Sequence, residues 1–175
     1  MSRTAHIFPG QGSQYVGMGK NLFDQSAAAR QLYHQADEIL GYPLSSICFE
    51  GPEEQLRQTN VTQPAIFLHS VVLSRLLQEG EPAMAAGHSL GEYSALVVAQ
   101  AMTFEAGLKL VKLRGELMRQ AGEARPGTMA AIVGLEPETL SALCLEAESE
   151  GVVQCANFNS PGQIVISGSL AGVRK

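Results

Sequence analysis

Ala83-Met84-Ala85-Ala86-Gly87-His88-Ser89-Leu90-Gly91-Glu92-Tyr93-Ser94-Ala95 reads as a short strand, a tight turn and the opening of a helix. Small apolar residues lead into Gly-x-Ser-x-Gly, and Glu92 to Ala101 carries on as a helix. That order is what a nucleophile elbow needs, with the serine hydroxyl exposed at the apex of the turn. The bend is sharp, so Gly87 and Gly91 make room for the backbone and for close packing of the helix. The Leu90 amide falls at a helix N-terminus, where unpaired N–H groups and the helix dipole favour an anion. A serine there can attack a carbonyl with an oxyanion donor in place. The same five-residue pattern also occurs in plain glycine-rich turns, and the pattern alone does not separate the two.

Before this stretch, Ala5 to Phe8 reads as a strand running into Pro9-Gly10-Gln11-Gly12-Ser13-Gln14. Such a loop brings backbone N–H groups close to a ligand, or is simply a strand-to-helix turn. Ser26 to Leu40 predicts a helix with Ala29, Leu32, Tyr33, Ala36 and Leu40 on one face, stopped by Gly41 and Pro43. Gly51-Pro52-Glu53-Glu54 opens a short helix, with proline first and acids in the first turn. Thr62-Gln63-Pro64 starts another that runs to about Glu79 and is apolar nearly all round, hence buried.

After the elbow, Thr103 is an N-cap for a helix from Phe104 to Ala121, with Leu110, Leu113 and Leu117 in its apolar stripe. Its Lys109, Lys112, Arg114 and Arg119 read as a mostly solvated face. From Gly127 the rhythm changes. Met129 to Val133 predicts a strand, and Pro137 to Ser149 a helix with Leu140, Leu143, Cys144 and Ala147 on one face. Val152 to Phe158 and Gln163 to Ser167 are strands around a turn at Asn159-Ser160-Pro161-Gly162, and a helix begins near Leu170. This β-α-β-β-α order is most of a ferredoxin-like unit. Pro126 and Gly127 place a boundary between residues 1–126 and 127–175.

The 175 residues suit one domain or a little more, and 45% hydrophobic with 17% charged residues reads as globular with a substantial core. A net charge of −5 without a Lys/Arg run argues against nucleic acid. Cys48, Cys144 and Cys155 are scattered without metal-type spacing and read as reduced, mostly buried cytoplasmic thiols. No stretch has the length of a signal peptide or a membrane span. Ser169 to Lys175 reads as a helix cut short, which suggests the front part of a longer protein.

Five stretches line up with one family. Phe8 to Gln14, Thr62-Gln63-Pro64-Ala65, Gly87 to Ala95, Arg114-Gly115 and Asn157 to Gln163 together resemble the malonyl-CoA:acyl carrier protein transacylases of fatty-acid and polyketide synthesis. The resemblance runs from Ala5 to at least Ser167. It implies an α/β-hydrolase-like core with an inserted ferredoxin-like small subdomain and the active site between them, the C-terminal part of the fold being absent. Ser89 is then the nucleophile that carries malonyl as an ester between coenzyme A and the phosphopantetheine thiol of an acyl carrier protein. The N–H groups of Gln11 and Leu90 form the oxyanion hole. Arg114 holds the malonyl carboxylate, for which a forked, permanently charged guanidinium is suited.

Gln63 and Asn157 match family positions near the active site, and each also reads as a turn or cap residue. His88 and Tyr93 shape the acyl pocket. The resemblance implies no cofactor or metal, coenzyme A entering only as substrate, and no membrane partner. The family's catalytic histidine lies beyond Lys175, and none of His6, His34, His69 and His88 reads as a base, so residues 1–175 alone are expected to be inactive or nearly so. Two other readings remain: an acyl hydrolase, against which Arg114 argues, and a non-catalytic carrier-protein docking module, against which Ser89, Gln11 and Arg114 argue.

Overall fold

The structure is a computed structural model that describes residues 3–77 and 82–175, so the expected end of the helix near Glu79 lies outside the described residues. The fold is mixed α/β and divides into two compact units, Met1–Arg119 and Gln120–Lys175.

In the first unit β1 (Ala5–Phe8) pairs in parallel with β2 (Met84–Gly87), with Ala5 opposite Met84 and Phe8 opposite Gly87. Around them lie α1 (Lys20–Gln25), α2 (Ala27–Leu40), α3 (Leu44–Glu50), α4 (Glu53–Leu56), α5 (Thr59–Leu76), α6 (Gly91–Val98) and α7 (Phe104–Ala124), the last of which runs on into the second unit. The Ser26 hydroxyl caps α2 by accepting the Ala29 N–H, and Gly41 ends it in the left-handed region at φ 77°. The five apolar residues expected on one face of α2 are all buried. α1 and α3 went unread in the sequence: α1 has no buried residue to set a period, and α3 is only two turns long.

α5 begins at Thr59, earlier than the expected start at Thr62, and Pro64 lies inside it. The Gln58 carbonyl accepts from Val61 and Thr62, and the Thr62 hydroxyl donates to the Leu56 carbonyl. These bonds build a full turn ahead of the proline, whose missing N–H falls close to the helix start. Residues Val61 to Leu68 are buried, as an all-round apolar helix requires. On α7 the expected stripe is wrong. Leu110, Leu113 and Leu117 are about half exposed, and the buried face is Phe104, Gly107, Leu108, Val111 and Gly115. Both sets repeat at three- and four-residue spacing. Only the second includes glycines that admit a partner, and Phe67 of α5 stacks on Phe104 at 5.8 Å and fills the space over Gly107.

The second unit runs β3 (Thr128–Val133), α8 (Pro137–Ala147), β4 (Val153–Ser160), β5 (Gln163–Gly168) and α9 (Leu170–Arg174), the element order read from the sequence. Its strands lie in the order β3-β5-β4, with both pairings antiparallel. Leu140, Cys144 and Ala147 of α8 pack with Val153, Ile164 and Ile166. Leu143 was expected on that face but is 45% exposed, because it lies on the flank of the stripe that Leu140 and Cys144 centre. Among the described residues no helix is long and apolar enough to cross a membrane.

Candidate active site

Because Phe8 and Gly87 are register partners, the loop leaving β1 and the turn leaving β2 emerge side by side. The His88 N–H donates to the Phe8 carbonyl at 3.0 Å, and His88 packs over Gly10, where a Cβ would lie 2.8 Å from Nδ1. Ser89 stands at the apex with φ 54°, a left-handed backbone that residues with a side chain seldom adopt. The flanking glycines are required by space. A Cβ on Gly87 would lie 1.9 Å from the Gly91 carbonyl carbon, and one on Gly91 would lie 2.2 Å from the Phe8 oxygen. The turn therefore folds the start of α6 onto the ends of both strands, leaving Leu90 buried at the head of that helix.

α7 supplies the charge. A Cβ on Gly115 would sit 2.9 Å from the Asn60 Cα, so the helix backbones of α5 and α7 meet at this residue. That approach turns Arg114 inward. Its Nη1 donates to Gln63 Oε1 at 2.7 Å and its Nη2 to Ser89 Oγ at 2.9 Å. The guanidinium carbon lies 5.8 Å from the centre of the Tyr93 ring. Gln63 is fully buried and donates its amide to Met118 Sδ at 3.0 Å. Three groups from two other helices and the elbow thus fix one guanidinium, and a charge-assisted bond joins it to the serine.

The structure brings Ser89, Arg114, Gln63 and Tyr93 together. Gln11 is exposed and its amide donates to the Thr59 hydroxyl at 3.4 Å, at the head of α5. Leu90 and His88 flank the serine in the turn. Asn157 belongs to the second unit, half-buried on β4 opposite Val165 and beside a bulge. The sequence reading missed Met118, which the four-residue spacing from Arg114 on one helix face places next to Gln63. The other histidines are engaged elsewhere: His6 Nδ1 with Ser74 Oγ at 2.9 Å, and His34 edge-on to Phe23. His69 lies near Gly19 and is held below its usual pKa by burial. No cluster of metal-ligating side chains forms among the described residues.

A mixed α/β chain with a serine at a strained strand-to-helix apex defines the class of serine-elbow α/β proteins. Within that class the chain belongs to the acyl transferase domain family, whose sequence profile matches residues 5–175. It is 49% identical over 176 residues to the malonyl CoA-acyl carrier protein transacylase of Bacillus subtilis, covering 99% of this chain and 56% of that one. The crystal structure of an acyl carrier protein S-malonyltransferase from Vibrio cholerae superposes with a TM-score of 0.90 at 49% identity, over 99% of this chain and 57% of that one. A malonyl-transacylase solved in complex with its type II PKS acyl-carrier protein superposes with a TM-score of 0.88 at 44% identity, over 99% and 57%. The chain thus spans a little over half the length of the relatives it matches.

Proposed function

We propose that this chain is the nucleophile-bearing part of an S-malonyltransferase that moves malonyl from coenzyme A to an acyl carrier protein, for fatty-acid or polyketide synthesis. The observation that carries the reading is the bond from Arg114 Nη2 to Ser89 Oγ at 2.9 Å. It sets a carboxylate-binding guanidinium within the span of a three-carbon diacid of the oxygen that is acylated. Ser89 Oγ attacks the thioester carbonyl, coenzyme A leaves as its thiol, and the N–H groups of Gln11 and Leu90 receive the oxyanion. Removing one such donor typically slows acyl transfer by ~10²–10³. The malonyl carboxylate replaces Ser89 as the second partner of Arg114, while Gln63 keeps the guanidinium in place. The phosphopantetheine thiol of the carrier protein then takes the acyl group from the serine.

Under this reading residues 1–126 form an α/β-hydrolase-like large subdomain and residues 127–175, which carry Asn157, part of a ferredoxin-like small one. The general base comes from outside residues 1–175, so this segment by itself turns over at a small fraction of the complete enzyme's rate. No cofactor takes part, coenzyme A being substrate, and the setting is cytoplasmic.

The test is the intact mass of the natural protein after brief exposure to malonyl-CoA, with acetyl-CoA and Ser89→Ala as controls. A malonyl adduct that requires Ser89 and clears only on addition of carrier protein is the expected result. Clearance by water alone would replace the transferase with an acyl hydrolase. The absence of any adduct would leave a carrier-protein docking module.

A further inference from the structure

We infer that Cys144 and Cys155 form a peroxide-sensitive dithiol that closes reversibly into a disulfide between α8 and β4. The pair lies in the second unit and does not depend on the function proposed for the elbow.

The geometry comes from two elements packed face to face. Along β4, Val153 is buried and Cys155 half-buried, while Gln154 and Ala156 point out, so the inward face presents Val153 and Cys155. α8 covers that face with Leu140, Cys144 and Ala147 at spacings of four and three. The result is that Cys144 and Cys155 belong to one packed cluster on facing elements, near enough for Cys155 to help raise the Cys144 pKa. Ser141 Oγ, one turn before Cys144 on the same helix, stands 3.8 Å from Cys155 Sγ. All three cysteines of the chain are free thiols, and the third, Cys48, is fully buried in the other unit.

A disulfide needs a sulfur separation of about 2.05 Å and Cβ atoms about 3.8 Å apart. Thiols on facing elements of one packed cluster approach this by rotation about their Cα–Cβ bonds and a shift of one element. The structure leaves room for that shift. β4 carries a bulge immediately after Cys155, where its register slips before Asn157, and a cleft of about 280 Å³ opens beside Cys144 between α8 and the sheet.

Exposure sets the order of events. Cys144 is 7% exposed, and burial, then the neighbouring Cys155, raises its pKa above the usual thiol value. The half-buried Cys155 therefore meets the oxidant first. Its thiolate attacks one oxygen of hydrogen peroxide, the O–O bond breaks, and with one proton taken up water leaves and Cys155 becomes a sulfenic acid. Cys144 Sγ then attacks the Cys155 sulfur, its proton joins the departing hydroxyl, and a second water leaves. Two thiols lose two electrons in all, and one peroxide is reduced to two waters. The bond would tie α8 to the strand that carries Asn157, and a dithiol reductant reverses it.

The experiment treats the intact protein with equimolar hydrogen peroxide, denatures it, alkylates it with iodoacetamide and maps the peptides by mass spectrometry. The expected result is a fall in alkylated cysteines from three to one, with Cys48 still alkylated, a peptide linking Cys144 to Cys155, and full recovery after dithiothreitol. In Cys155→Ser both remaining thiols should stay alkylatable, whereas Cys48→Ser should still form the link. The wild-type peptide map needs no variant to fold. Cys155 carrying added oxygen while Cys144 remains alkylatable, links only between two copies of the chain, or three unreacted thiols would each overturn the inference.

Discussion

Arg114 is a charged side chain with every one of its neighbours doing a different job. Gln63 fixes one nitrogen through a buried carbonyl oxygen, Tyr93 offers its ring face, and the Ser89 hydroxyl accepts from the other nitrogen. Lysine in its place would supply charge but no fork, and could not hold Gln63 and a carboxylate together in one plane. Under the proposed function, Arg114→Ala in the natural protein should lower kcat/KM for malonyl-CoA by ~10²–10³, as expected when a substrate carboxylate loses a paired guanidinium. It should also narrow the preference over acetyl-CoA, and Arg114→Lys should fall between. Steady-state rates with the two thioesters check both, and an unchanged malonyl-to-acetyl ratio in Arg114→Ala would remove the carboxylate clamp from the mechanism.

His69 makes a different point at the same scale. Its Nδ1 and the hydroxyl of the fully buried Tyr33 both lack a hydrogen-bond partner among the described residues, and both crowd the space over Gly19, where a Cβ would lie 1.8 Å from the hydroxyl and 3.1 Å from Nδ1. Burial lowers the His69 pKa, so the unfolded chain binds this proton at a higher pH than the folded one. Stability then rises with pH through that window: it is fully present above the unfolded value of about 6.5 and is lost as pH falls below it. Urea midpoints should therefore drop between about pH 7 and pH 5.5, and His69→Phe should flatten that drop. Parallel curves for the two proteins would rule His69 out as the cause.

At the scale of elements, α7 decides the site, and its buried face is what the sequence pattern misassigns. The strand, turn and helix of the elbow could be read because Gly87, Ser89 and Gly91 stand at fixed spacing, and each glycine proves sterically necessary. α2 could be read because its five apolar residues have only one face to occupy. α7 carries two apolar rows at helical spacing, so periodicity alone picked the leucines that end up exposed. What orients the helix is small residues, Gly107 under Phe67 and Gly115 against the backbone at Asn60, and a hydrophobic pattern gives glycine no weight. The Arg114-Gly115 pair stands out in the sequence only by its family likeness, and its structural reason lies in the packing of Gly115 against α5. Gly115→Ala should push the helices apart, costing about 1–3 kcal/mol of stability as overpacking does. Under the proposed function, since Arg114 rides on the same turn, the malonyl-serine adduct should also form more slowly. Denaturant melts and adduct kinetics on one sample check the two effects, and loss of neither would mean that the helix interface yields without moving Arg114.

For the molecule as a whole, β1 is the feature that packing within the described residues leaves unfinished. Its one strand partner among them is β2. A groove of about 600 Å³ runs along it, lined by Ala5, Ile7, Phe8, Ile66, Leu73 and Leu77. Ile7 is 79% exposed and Met84, at the other end of the strand pair, is 68% exposed. An apolar strand with free backbone donors and acceptors is a template for pairing with another chain. The net charge of −5 is a modest opposing repulsion, and it is screened beyond about 10 Å at 0.1 M salt. The 175-residue chain should therefore associate with rising concentration, more strongly as salt is added, in sedimentation-velocity runs. Ile7→Lys places a charge on the exposed side of β1, where edge strands commonly carry one, and leaves the buried His6 and Phe8 untouched. It should shift the population back to monomer with an unchanged melting temperature. Association that persists in Ile7→Lys would move the sticky surface elsewhere, with the exposed row of Leu110, Leu113 and Leu117 on α7 the next to test.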